Sequence, residues 1–248
     1  MRVKCIVSYD GSNYNGYQRQ PGTKTIQGTI ESVLNQMTKE DIIIYSSGRT
    51  DAFVHAKGQV FHFDTLVSIK PMNWKNGLNS LLPTDIRIRD VEFVEDDFHS
   101  RFSHDKKEYR YYIHTGQQNP FYDHFSTNIY NLDVNKMKEA IKLLEGMHDY
   151  KGFAGDTKNK DTVRTIYEAS INTFDEFIEI KFIGNGFLKY MVRIMVGTLV
   201  DIGLGKKDIT VINKIFETKD RNLAGKTIEA KGLFLYQVYY LSFNKDMR

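Results

Sequence analysis

An α+β fold is predicted by three features of this 248-residue chain: segments that alternate at the period of strands, amphipathic segments at helical spacing, and one element order that recurs in both halves. Residues 2–9 (RVKCIVSY) place Val3, Cys5, Val7 and Tyr9 on one face, as a half-buried strand requires. After the turn-rich DGSNYNGYQRQPG, residues Ile26, Ile30, Val33, Leu34 and Met37 recur at the spacing of an amphipathic helix. A short β-branched strand is read at 42–46 (IIIYS) and another at 58–64 (GQVFHFD). Trp74, Leu78, Leu81 and Leu82 mark a helix that stops at Pro83, whose ring is incompatible with the interior of a helix. DIRIRDVEFV then reads as a strand, so the first half is β-α-β-β-α-β.

The second half repeats that order. EYRYYIHT is a strand, and Asp133 caps a helix carrying Val134, Met137, Ile141 and Leu144 that closes at Gly146. TVRTIYEASINTF and FIEIKFI alternate on either side of an Asp-Glu turn, which signals a hairpin. FLKYMVRIMVGTLVDIG, residues 187–203, is apolar all round and reads as a buried helix. A shorter helix with Ile209, Ile212 and Phe216 precedes the last strand, LFLYQVYYLSF. The chain therefore divides into domains at 1–104 and 105–248, linked near HSRFSHDKK, residues 99–107. The repeated order is that of ferredoxin-like or RRM-like βαββαβ units, antiparallel sheets with the helices on one face. Two such halves, joined edge to edge or related by a pseudo-twofold axis, leave a central cleft, and RNA-recognition domains of this topology stack bases on their bare sheet face.

Composition narrows the function classes. With 41% hydrophobic and 26% charged residues the chain is globular rather than disordered. No run of about eighteen apolar residues could span a bilayer, and MRVKCIVSYD lacks the apolar core of a signal peptide, so a cytoplasmic protein without a membrane is expected. The single cysteine, Cys5, excludes an intrachain disulfide and a multi-cysteine zinc site, and its place in a strand pattern makes it a core residue. A net charge of +3 permits a polyanionic partner without demanding one.

Three constellations carry possible chemistry. In GRTDAFVHAKGQVFHF, Arg49 and Asp51 flank one threonine; in an extended segment they point the same way, and a guanidinium that close keeps a carboxylate ionised and oriented. Such a pair suits a nucleophile and its partner, or a plain surface salt bridge. In RFSHDKKEYRYYIHT, Arg101, Lys106, Lys107 and Arg110 interleave with Phe102, Tyr109, Tyr111 and Tyr112, as contacts to phosphates and bases would require, although a strand with one wet face has the same pattern. In FLKYMVRIMVG, Lys189 and Arg193 stand one turn apart on an apolar cylinder, where a buried arginine needs an anion. His55 and His62 lack further ligands at zinc-site spacing, and neither a GxSxG elbow nor a GxGxxG cradle is present. From residues alone, an RNA-acting enzyme, a tandem RNA-binding module without chemistry and a glycosidase-like hydrolase stay open, the last disfavoured because it usually needs two carboxylates.

The segments YDGSNYNGYQRQ, GRTDAFVHAKGQV, DDFHSRFSHDKKEYRYYI, NGFLKYMVRIMVG, the DRNLAGKT region and KGLFLYQV occur in an order and spacing that resembles the tRNA pseudouridine synthase A (TruA-type) family nearly from end to end. The resemblance implies an isomerase that turns uridine into pseudouridine in the tRNA anticodon stem-loop, without metal or organic cofactor, as a homodimer. It implies Asp51 as the catalytic aspartate, Arg49 as its partner in holding the target base out of the helix, Tyr109 as the tyrosine stacked on uracil, Arg193 as a basic partner of the aspartate and Leu233 as the apolar residue packed near the base. Arg101, Arg110 and Lys189 are expected to contact the substrate. Three positions depart from the family pattern: Phe53 replaces a glycine after the Asp-Ala pair, Tyr17 a tryptophan, and Glu108 a basic residue. They put the choice of RNA site in question, so a divergent paralogue acting elsewhere is the alternative.

Overall fold

The computed structural model describes residues 1–155 and 161–240. The fold is mixed α+β, and the chain forms two compact units, one of Met1–Lys106 with the segment from Leu235, the other of Lys107–Phe234. The last strand is divided: its residues from Leu235 onward cluster with the first unit. No helix among the described residues is long and apolar enough to cross a membrane.

In the first unit, β1 (Arg2–Tyr9) runs antiparallel to β3 (His55–Asp64) on one side and to β4 (Ile86–Val94) on the other, and β10 (Leu233–Tyr240) continues the order as β4-β1-β3-β10. Every second residue of β1 is buried, and the register sets Cys5 opposite Phe61 and Val3 opposite Phe63, so these side chains share one face. That face and the buried residues of α1 (Ile26–Thr38) and α2 (Pro71–Leu81) make the core, with the Phe63 ring edge-on to fully buried Trp74 at 5.5 Å. Thr25 caps α1 with its side chain and Pro71 opens α2, where its missing N–H costs nothing.

Two expectations need correction here. The segment 42–46 pairs as a strand only at β2 (Tyr45–Ser46), because the N–H groups of Ile42 and Ile44 donate to side chains of α1, to Asn35 Oδ1 at 2.8 Å and Glu31 Oε1 at 3.1 Å. Leu81, expected on the buried face of its helix, is 43% exposed at the helix end. The stretch 99–103, within the link read from sequence, is folded: Ser100 is fully buried, and both its hydroxyl and its N–H meet His62 Nδ1, at 3.0 and 3.2 Å.

In the second unit the strand order is β5-β9-β8-β7, from β5 (His104–His114), β7 (Gly146–Asp149), β8 (Val163–Phe174) and β9 (Phe177–Gly184), with two-residue β6 (Thr127–Asn128) parallel to β5. The Asp-Glu turn joins β8 to β9 as the hairpin pattern predicts, with Asp175 at φ 48°. Asp133 caps α3 (Val134–Lys142) by accepting the Lys136 N–H at 3.1 Å. Helix α4 (Met191–Gly203) buries eleven of its residues, as its apolar surround requires, and α5 (Val211–Thr218) is the additional short helix. The expected start of α4 at Phe187 is four residues early, because Tyr190 adopts φ 63° and breaks helical continuity. Lys189 therefore lies in the turn before α4 and not on it. The expected strand continuation at 241–243 lies outside the described residues.

Candidate active site

In the first unit the GRTD segment is the crossing from β2 to β3, and buried polar groups fix its path. Ser47 Oγ donates to Gln59 Oε1 at 2.6 Å, while Gln59 Nε2 donates to the Gly48 carbonyl at 2.9 Å, so one fully buried amide clamps the start of the loop. Thr50, between the two charged residues, is buried, with its hydroxyl 2.8 Å from that of Tyr9 and its carbonyl accepting the Tyr17 N–H at 3.1 Å. Because Thr50 points into the core, its neighbours Arg49 and Asp51 are directed away from it, Arg49 exposed and Asp51 half-buried. Arg49 and Asp51 form no ion pair with each other among the described residues. Burial of the intervening threonine fixes the backbone that leads into Asp51.

Asp51 also begins a β-turn. The Val54 N–H returns to the Asp51 carbonyl at 3.2 Å, and Phe53, third in the turn, sits at φ 65°. This is the left-handed region, which suits glycine far better than phenylalanine. The turn packs against the loop after β1. A Cβ on Gly11 would overlap the carbonyl of Val54, and one on Gly16, itself at φ 89°, would lie 3.0 Å from the Thr50 oxygen. Gly11 N–H further donates to buried His55 Nδ1 at 3.1 Å. Sequence reasoning missed these supports. Their signal was present in the DGSNYNG run, whose glycines mark sites of close backbone approach.

In the second unit, Tyr109 on β5 is 9% exposed, with its ring edge-on to Phe187 at 5.0 Å. Tyr111, on the same strand face, is fully buried and bonds Thr127 Oγ1 at 2.6 Å and the Glu229 carbonyl at 2.9 Å. The other face carries a charge cluster: Arg110 meets Glu108 at 2.6 Å and Glu179 at 2.9 Å, and Tyr112 donates to Glu179 at 3.0 Å. These carboxylates raise the Arg110 pKa against the opposing effect of burial. The unusual Glu108 is thus the acid that neutralises Arg110, and both face away from Tyr109.

Arg193, in the first turn of α4, is half-buried. Its Nε donates to the Ile228 carbonyl at 2.8 Å, and its guanidinium lies 5.4 Å from the Tyr190 ring centre, which Lys189 approaches at 4.9 Å from the same turn. The 224–228 segment that receives Arg193 is seated on α4 through glycines: a Cβ on Gly197 would overlap the Lys226 carbonyl, and the Gly225 N–H donates to Thr198 Oγ1 at 2.8 Å. Leu233 opens β10 at 5% exposure, its N–H held by the Ala230 carbonyl at 2.8 Å. Arg101 lies in the first unit, exposed, with its guanidinium 5.6 Å from the centre of the Phe102 ring. The structure thus brings Arg193, Lys189 and Tyr190 together, and separately Arg110, Glu108 and Glu179.

Comparison with known proteins matches residues 5–103 and 140–241 to a family model described as tRNA pseudouridine synthase. The chain is similar to proteins named tRNA pseudouridine synthase A from Geobacillus sp. (strain WCH70), 49% identical over 96% of this chain and 98% of the relative, and from Bacillus subtilis (strain 168), 46% identical over 97% and 99%. That from Exiguobacterium sibiricum is 45% identical over 99% of both chains.

Proposed function

The chain belongs to the tRNA pseudouridine synthase family and is an isomerase of that kind, and we propose that Asp51 is the group on which the isomerisation turns. The reaction breaks the bond from ribose C1′ to uracil N1, turns the ring, and joins C1′ to C5, with the C5 proton lost and N1 protonated. One ionised, positioned carboxylate serves attack at C1′, attack at C6, or withdrawal of a sugar proton to give a glycal. The observation that best supports Asp51 is its placement: a half-buried carboxylate at the mouth of β3, set by a buried threonine on one side and a closed turn on the other.

The target base must leave its stack before chemistry, and stacking on Tyr109 with Leu233 alongside supplies an apolar slot for it. Tyr109 then takes the C5 proton. Arg193 supports the carboxylate, and Arg49, exposed beside it, holds the everted nucleotide out of the helix. Arg101 and Lys189 contact phosphates. Arg110 enters this proposal as the counter-charge of Glu108 and Glu179 instead of a phosphate ligand, because two carboxylates already occupy it. The substrate proposed is the anticodon stem-loop of tRNA at uridines 38, 39 and 40, and the working form a cytoplasmic homodimer. Two ferredoxin-like halves about a pseudo-twofold, with an RNA-binding cleft, are the architecture this reading requires.

The test is release of tritium to water from tRNA transcript labelled at uracil C5, with RNA mass unchanged. Wild-type protein should release label, and Asp51→Asn should abolish release while retaining tRNA binding. Label release by Asp51→Asn at the wild-type rate would remove Asp51 from the reaction. Failure of the wild type on any cellular RNA fraction would remove the activity.

A further inference from the structure

We infer that Phe53 is a base-stacking residue, a side chain that contacts an unpaired nucleobase next to the nucleotide presented to Asp51. The inference deepens the reading above and rests on it. It begins from a conflict between sequence and backbone. Position 53 is third in the turn closed by Val54 N–H and Asp51 C=O, and its φ of 65° suits glycine. A β-carbon there meets the following carbonyl, an unfavourable conformation that bulky residues rarely adopt.

The chain cannot relax this conformation locally. The turn is pinned by the Phe53 N–H to the Tyr14 carbonyl at 3.4 Å and by the glycine seats at Gly11 and Gly16, and a shift to negative φ would break the turn that begins on Asp51. Nor does folding gain from the ring. Phe53 is 51% exposed, unlike Tyr14 and Tyr17 on the opposing loop, both 1% exposed. A strained residue whose side chain contributes little burial breaks a local rule without compensation inside the fold, and such breaks are expected at functional sites. What the ring offers is an apolar, aromatic face on the crest of the loop. The ends of a β-turn lie within about 7 Å of each other, so that face stands beside the Asp51 backbone. An RNA that presents one everted nucleotide there leaves a neighbouring base unstacked, and a ring of any sequence-tolerant kind can cover it.

Four variants test this. Binding of in vitro transcribed tRNA is measured on the Asp51→Asn background, where no turnover intervenes. Phe53→Gly should lower tRNA affinity roughly 5- to 150-fold, the range that loss of one base–aromatic stack produces, although it relieves the backbone and raises the urea midpoint of the free protein. Phe53→Tyr should retain affinity and Phe53→Leu should lose most of it. Phe53→Trp adds an exposed indole to a chain whose one tryptophan, Trp74, is fully buried, and its emission should be quenched on adding tRNA. A Phe53→Gly protein that binds tRNA within two-fold of its parent, or a Phe53→Trp signal indifferent to tRNA, overturns the inference. Absence of tritium release by the wild type would instead overturn the isomerase reading, and the binding arm would still decide Phe53.

Discussion

Replacing Gly197 by alanine sets two physical effects against each other with opposite signs. Gly197 lies inside α4, where alanine is favoured over glycine by about 1 kcal/mol, so helix propensity alone predicts a more stable protein. The structure predicts the reverse. The added methyl would overlap the Lys226 carbonyl, and a Cβ on Gly225 would likewise meet the Gly197 backbone. An ordinary contact needs about 3.5 Å, so the 224–228 segment must retreat by over an ångström. Retreat breaks the bond from Gly225 N–H to Thr198 Oγ1, a loss of about 1 kcal/mol, and stretches that from Arg193 Nε to the Ile228 carbonyl, a charged donor worth about 1.5–3 kcal/mol. Overpacking strain adds about 1–3 kcal/mol to whatever bonds survive. Since relaxation trades strain against broken bonds, the net destabilisation after the propensity gain is about 2–4 kcal/mol. Equilibrium urea unfolding reads it as a lower midpoint at unchanged slope. Isomerase activity should also fall in the folded fraction, because the carbonyl that orients Arg193 has moved. A midpoint that rises would refute the close seam between α4 and the 224–228 segment.

Two further outcomes follow from buried charge. His62 is buried against Ser100, and burial, with His99 and Arg2 adding to it, lowers its pKa from 6.5 to about 4. At neutral pH it is uncharged folded or unfolded; below pH 6.5 the unfolded chain takes up the proton first, so stability is lost as pH falls toward 4, by up to about 3 kcal/mol. His62→Asn should flatten that part of the stability profile relative to wild type, and parallel profiles for the two proteins would refute the assignment. Arg110→Ala leaves Glu108 and Glu179 buried with their shared cation gone, and should cost about 3–5 kcal/mol in unfolding free energy. Arg110→Met with Glu108→Leu should recover much of it, and a tRNA-binding defect without loss of stability in Arg110→Ala would return Arg110 to the RNA contacts.

Much of the local structure was legible because it is local. The alternation in RVKCIVSY, the Asp133 cap and the Asp-Glu hairpin are written in residues a few positions apart, and the structure follows them. Where reading and structure part, a distant partner intervened. IIIYS has strand character, yet the Asn35 and Glu31 side chains take its N–H groups before a strand can. Lys189 and Arg193 look like helix neighbours, yet the left-handed Tyr190 puts one of them in a turn.

For the candidate site, the sequence by itself supplied the candidate groups: one carboxylate in a glycine-opened loop, one tyrosine among cations and one arginine on an apolar helix. It also determined family membership, because motifs along the whole chain carry it. Only the tertiary structure shows that a buried threonine fixes the backbone leading into Asp51. It alone shows that Arg110 pairs with Glu108 and Glu179, and that position 53 has a left-handed backbone. The physical reason is common to all three. Hydrogen bonds, ion pairs and backbone close approaches join residues separated by up to tens of positions, and no periodicity along the chain encodes which buried group meets which.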